Sequence, residues 1–62
     1  MEPNETLRKM RDMRMAGMAD AYSEQMADRL VYDQRPFDDR LGMLVDAESD
    51  KRLATKLANL VR

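Results

Sequence analysis

The side chains best placed to act on another molecule stand near the end of the chain. Lys51, Arg52, Lys56 and Arg62 follow the last acid, Asp50. Leu53, Leu57, Leu60 and Val61 recur there at the three- and four-residue intervals of one helix face. A basic amphipathic helix of this kind can meet phosphate with one side and an apolar partner with the other. A second basic run, Arg8, Lys9, Arg11 and Arg14, is opposed only by Asp12, and between the runs Asp20, Glu24, Asp28 and Asp33 stand against Arg29. The formal net charge of −1 conceals this division. Both basic runs are therefore candidate DNA-backbone contacts, and the four apolar residues are a candidate oligomer or partner interface. The plainer alternative for the charges is a solvated helix face. No aromatic accompanies either cluster, so base stacking is not expected.

Composition removes most other chemistry. With no cysteine and no histidine, there is no disulfide, and neither the usual zinc sites nor the usual nucleophile–base pairs can be assembled. A 62-residue chain also has little interior in which to shift the pKa of a carboxylate or lysine. No catalytic residue, metal site or cofactor is expected in these residues, and the chain is read as non-enzymatic. Asp38, Asp39, Asp46, Glu48 and Asp50 do not form a cation site, because positions two apart on a helix point about 200° from each other. They read as a solvated, charge-paired face with Glu48 to Arg52 as one i,i+4 pair. Gly17 and Gly42 stand alone, so no phosphate-cradling loop exists. No apolar run is long enough for a bilayer and no signal-peptide layout opens the chain, so a cytoplasmic protein without membrane contact is expected.

Helices must position these residues, since apolar and polar residues nowhere alternate over a strand's length. Asn4 is the expected N-cap of a first helix, with a Glu5 to Lys9 pair and an inner face of Leu7, Met10 and either Met13 or the stem of Arg14. Gly17 is the expected stop, left-handed at C′, with Met18 at C″ packing on Met13. A second helix starts within a residue or two of Gly17, has Asp20 in its first turn, and turns Met18, Ala21, Tyr22, Gln25, Met26 and Leu30 inward. Arg35 precedes a proline and is pushed out of the helical region, leaving 31–35 as the only real loop. Pro36 at N1 with Asp38 and Asp39 behind it starts a third helix that meets no stop signal before Arg62. Its apolar stripe changes side: Phe37, Leu41, Leu44 and Val45 share one face, expected to close a small core, and the later leucines lie about 150° around from it. The seven methionines read mainly as core filler, with Met10, Met13, Met18, Met26 and Met43 on or beside inner faces. The expected fold is all-α, a small three-helix domain with a long C-terminal helix.

Three strings carry a family resemblance. Thr6-Leu7-Arg8-Lys9-Met10-Arg11-Asp12-Met13-Arg14-Met15-Ala16-Gly17-Met18-Ala19-Asp20-Ala21-Tyr22, then Gln25, then Pro36-Phe37-Asp38-Asp39-Arg40-Leu41-Gly42-Met43-Leu44-Val45-Asp46-Ala47-Glu48 with a basic tail resemble the N-terminal domain of IstB-type transposition helper ATPases. The family's leucine-rich first helix is methionine-rich here, Pro36 stands at a usual Ser/Thr cap, and Asp38 and Asp39 replace glutamates. The arginine-dense segment that follows in the family is thinned to Lys51, Arg52 and Lys56. The resemblance implies that residues 1–62 form the helical module ahead of an AAA+ motor, which would bind ATP and magnesium elsewhere in the full-length protein. It implies self-association, DNA contact or transposase contact as the module's work. The residues alone leave open a stand-alone helical adaptor that docks a partner through Leu53, Leu57, Leu60 and Val61.

Overall fold

The computed structural model describes residues 3–61, with side chains described for 4–60. It is all-α: α1 (Pro3–Asp12), α2 (Ala16–Ala27), a single turn α3 (Arg29–Tyr32) and the long α4 (Phe37–Val61). The three expected helices are present, and the added turn takes Arg29 and Leu30 from the end of the expected second helix and Val31 and Tyr32 from the expected loop. The extents are 41 × 22 × 17 Å, set by α4, whose 25 residues measure about 37 Å at 1.5 Å per residue.

α1 starts one residue before the expected cap. Pro3 opens the helix and Asn4 lies within its first turn, consistent with proline's missing N–H at a position that has no intrahelical acceptor. Lys9 pairs with Glu5 at 3.7 Å, and Leu7 and Met10 are half-buried as expected. The stop is not at Gly17. The Met15 N–H donates to the Met10 carbonyl at 2.9 Å and the Arg14 N–H to the Arg11 carbonyl at 2.9 Å, the two bonds of a Schellman turn. Its left-handed residue is Arg14, at φ 61. The expected motif therefore occurs three residues early, on a residue that costs roughly 1 kcal/mol more there than glycine.

Gly17 is instead the second residue of α2, without positive φ, and is buried. A Cβ built on it would lie 2.6 Å from the Ala47 carbonyl oxygen and 2.9 Å from Glu48 Cα. The glycine is thus needed for contact between two backbones. Ala19, about 200° around α2 from Gly17, is fully buried as well. Gln25 at the other end of α2 bonds to Arg40 near the start of α4, so the two helices run antiparallel.

This close packing decides what lies inside. The expected apolar core face of α4 is largely outside: Phe37 is 73% exposed, and Leu41 and Val45 are also exposed, leaving Leu44 half-buried. Gln25 at 4% and Glu48 at 8% are among the most buried side chains. Of the expected inner stripe of α2, Met18, Ala21, Tyr22 and Met26 are half-buried and Gln25 is buried, but Leu30 is 86% exposed. The reason is a break at Asp28 (φ −126, ψ 63), after which α3 leaves the direction of α2. Met13 and Met43 are likewise exposed rather than core. Asp20 falls beyond the first turn of α2. The connecting turn is shorter than 31–35, since Val31 and Tyr32 belong to α3. Pro36 precedes α4 rather than opening it: its carbonyl accepts the Arg40 N–H at 3.1 Å, which is the N-cap position.

Candidate functional site

The first turn of α2 leaves N–H groups without intrahelical acceptors, and Met15 at the cap position has no side-chain acceptor to offer. Glu48 reaches across from α4 and supplies one. Its Oε1 accepts the Met18 N–H at 2.9 Å, and its Oε2 accepts from Arg52 Nε. The hydrogen bond from Arg52, with that from the Met18 backbone, holds the Glu48 carboxyl below its ordinary range against the opposing effect of burial. The Glu48–Arg52 pair is present as expected, but Glu48 is not on a solvated face.

A second acid joins three helices. Asp20 accepts from Arg11 of α1 at 3.2 Å and from Lys51 of α4 at 3.3 Å. Hydrogen bonds from Lys51 and then Arg11 lower its pKa. The two basic runs, far apart in sequence, therefore meet at this end of the fold. Arg14, Lys51, Arg52 and Thr55 line one concavity of about 270 Å³ beside Ala16 and Glu48.

The candidate DNA contacts divide accordingly. Lys9, Arg11, Lys51 and Arg52 are engaged in intramolecular ion pairs. Arg8, Arg14 and Lys56 are exposed and have no ion-pair partner among the described residues. Arg62 lies outside the described residues. Of the candidate interface, Leu53, Leu57 and Leu60 are exposed at 56%, 53% and 72%, on a stretch where every residue from 49 to 60 is exposed. The Val61 side chain lies outside those described. Gly17 and Met18 do form a structural element, as a helix-contact and capped turn rather than a left-handed stop.

Sequence reasoning missed the Glu48 bridge and the Gln25–Arg40 pair, in which Arg40 Nε donates to Gln25 Oε1 at 3.0 Å and Gln25 Nε2 donates to the Arg40 carbonyl at 3.1 Å. The available signal for the first was Met15 at a helix start with no capping side chain. For the second it was a glutamine on an otherwise apolar stripe. Among the described residues no group of acids is arranged to hold a metal ion, and no helix is long and apolar enough to cross a membrane. Comparison with protein-family models, with curated proteins and with solved structures finds no match to this chain.

Proposed function

We propose that the chain is a non-catalytic interaction module of a DNA transposition helper ATPase. In this reading it serves self-association and engagement of DNA or the transposase in the cytoplasm, and ATP and magnesium are bound by an AAA+ module elsewhere in the full-length protein. The observation that carries the reading is the second half of α4. Its leucines are exposed on one side, and Lys51, Arg52 and Lys56 follow the last acid of the chain. A row of large apolar residues left in water is a cost that association removes. The sequence strings that resemble the IstB-type N-terminal domain direct the reading toward transposition.

Phosphate contacts fix position without reading bases, so binding to duplex DNA should be weak, sequence-independent and salt-sensitive. Arg14 and Lys56 are the residues to change, because both are exposed and neither has an ion-pair partner among the described residues. Fluorescence anisotropy at two salt concentrations should show a slope of log K against log salt of about −0.9 per phosphate neutralised. Arg14→Gln with Lys56→Gln should flatten that slope. Binding that ignores both salt and the double change removes DNA contact from these residues. A Gly-x-x-x-x-Gly-Lys-Ser/Thr string after a strand pattern in the reading frame beyond Arg62 would support the helper ATPase. Its absence would favour a stand-alone adaptor docking through Leu53, Leu57 and Leu60.

A further inference from the structure

We infer that the concavity beside the turn between α1 and α2 seats one backbone phosphate of duplex DNA, held by Arg14, Lys51, Arg52 and Thr55. This rests on the DNA contact in the proposed function and specifies where it is made. Lys51, Arg52 and Thr55 share one side of α4, at i, i+1 and i+4. Arg14 comes from the turn that ends α1, and Ala16, the first residue of α2, and Glu48 complete the lining. All four ligand side chains are exposed to solvent.

The charges there do not balance. Asp20 serves both Arg11 and Lys51, Glu48 is engaged by Arg52 and the Met18 N–H, and Arg14 has no ion-pair partner among the described residues. Four cations against two carboxylates leave two positive charges in surplus, and Asp12 and Asp50, the acids next to these residues in sequence, do not line the concavity. Cations gathered in this way repel one another until an anion joins them. The free donors suit a phosphate. Arg14 keeps its whole planar fork, Arg52 commits only Nε, Lys51 commits one hydrogen of Nζ, and the Thr55 hydroxyl adds another donor. Ala16 brings the positive end of the α2 dipole to the same place. The volume of about 270 Å³ lies below the roughly 300–1,000 Å³ of sites for drug-sized ligands, which favours a small anionic group.

Arg14 supplies an independent pointer. Among the described residues it is the one non-glycine residue at positive φ, a conformation that glycine or asparagine holds with less strain. A side chain kept at such a position against its backbone preference marks a place where that side chain is used. The backbone turn needs no arginine, whereas the concavity does.

Arg14→Gly separates the side chain from the turn, because glycine suits the conformation while removing the guanidinium. Thermal melts should place this variant at or above the unaltered chain. In fluorescence anisotropy with duplex DNA it should bind about tenfold more weakly and lower the salt slope by about 0.9. Thr55→Val, which removes one hydroxyl, should weaken binding about threefold. Arg35→Gln is the control for charge alone: Arg35 is exposed, precedes α4, and is separated from Arg52 by roughly 22 Å of that helix at 1.5 Å per residue, so its effect should be small. In nuclear magnetic resonance at fixed ionic strength, inorganic phosphate should shift the amide signals of Arg14, Ala16 and Thr55 in the unaltered chain and leave those positions unmoved in Arg14→Gly. Equal weakening of DNA binding by Arg14→Gly and Arg35→Gln would mean that binding follows net charge, which overturns the seat and leaves the DNA contact standing. A loss confined to Lys56→Gln does the same. An unaltered chain that does not bind duplex DNA overturns both the seat and the DNA contact, and phosphate shifts at the concavity would then assign it to a free phosphate anion. Should Arg14→Gly melt lower than the unaltered chain, Arg14→Asn repeats the test with a residue that also tolerates the left-handed conformation.

Discussion

Gly17→Ala and Gly42→Ala add the same methyl group to two helices of one small protein and should move its stability in opposite directions. At Gly17 the new Cβ meets only backbone: the Ala47 carbonyl oxygen at 2.6 Å, Glu48 Cα at 2.9 Å and the Ala47 carbonyl carbon at 3.0 Å. No side chain can rotate aside. Restoring an ordinary contact of 3.4 Å to the nearest of these requires α2 and α4 to part locally by about 0.8 Å. The Met18–Glu48 hydrogen bond, now 2.9 Å and one residue away, would then exceed hydrogen-bonding distance. Overpacking of this kind costs about 1–3 kcal/mol. The better helix propensity of alanine returns at most about 1 kcal/mol, and less in a first turn, so the net loss is about 1–2 kcal/mol. For a domain of this size each kcal/mol moves Tm by about 4–8 °C. Gly42 has no atom within 4 Å of its Cβ position and keeps only the propensity gain, about 0.5–1 kcal/mol. Thermal melts followed by circular dichroism on the two variants and the unaltered chain measure the contrast. A Gly17→Ala protein as stable as the unaltered chain, or raised like Gly42→Ala, would refute a backbone-to-backbone contact between α2 and α4.

Arg14 holds the left-handed position that ends α1, so Arg14→Gly should raise stability by about 0.5–1 kcal/mol despite the greater freedom glycine gives the unfolded chain; an unchanged or lowered Tm would count against the turn. Glu48 and Asp20 both titrate below their ordinary values of 4.5 and 3.8, so the stability they supply is complete above those values and is lost as pH falls through the lower folded pKa. Melting temperatures taken from neutral pH down to acid should fall below about pH 4.5. Glu48→Gln should melt lower than the unaltered chain at neutral pH and lose less on acidification; parallel curves for the two proteins would show that the Glu48 charge does not serve as the α2 cap.

Local rules were enough for the elements. The Glu5–Lys9 pair, the proline at 36 and the acids behind it, and the lack of any breaker between Phe37 and Val61 act within a turn or two of chain, so α1, α2 and an uninterrupted α4 are legible from spacing alone. The exposed leucine row is legible for the same reason, since periodicity reports which residues share a face. Periodicity does not report which face meets another helix. Reading the more apolar side of α4 as the core placed Phe37 and Val45 inside, whereas α2 and α4 approach through Gly17 and enclose Gln25 and Glu48. Glu48 is separated by 30 residues from the N–H it caps; Asp20 joins Arg11 nine residues before it to Lys51 31 residues after it. Contacts at such separations depend on how two helices cross. The helix stop shows the same division: a glycine looks like a terminator when only local conformation is weighed. In the folded chain the backbone of α4 needs Gly17 for its missing side chain, and the left-handed turn falls to Arg14.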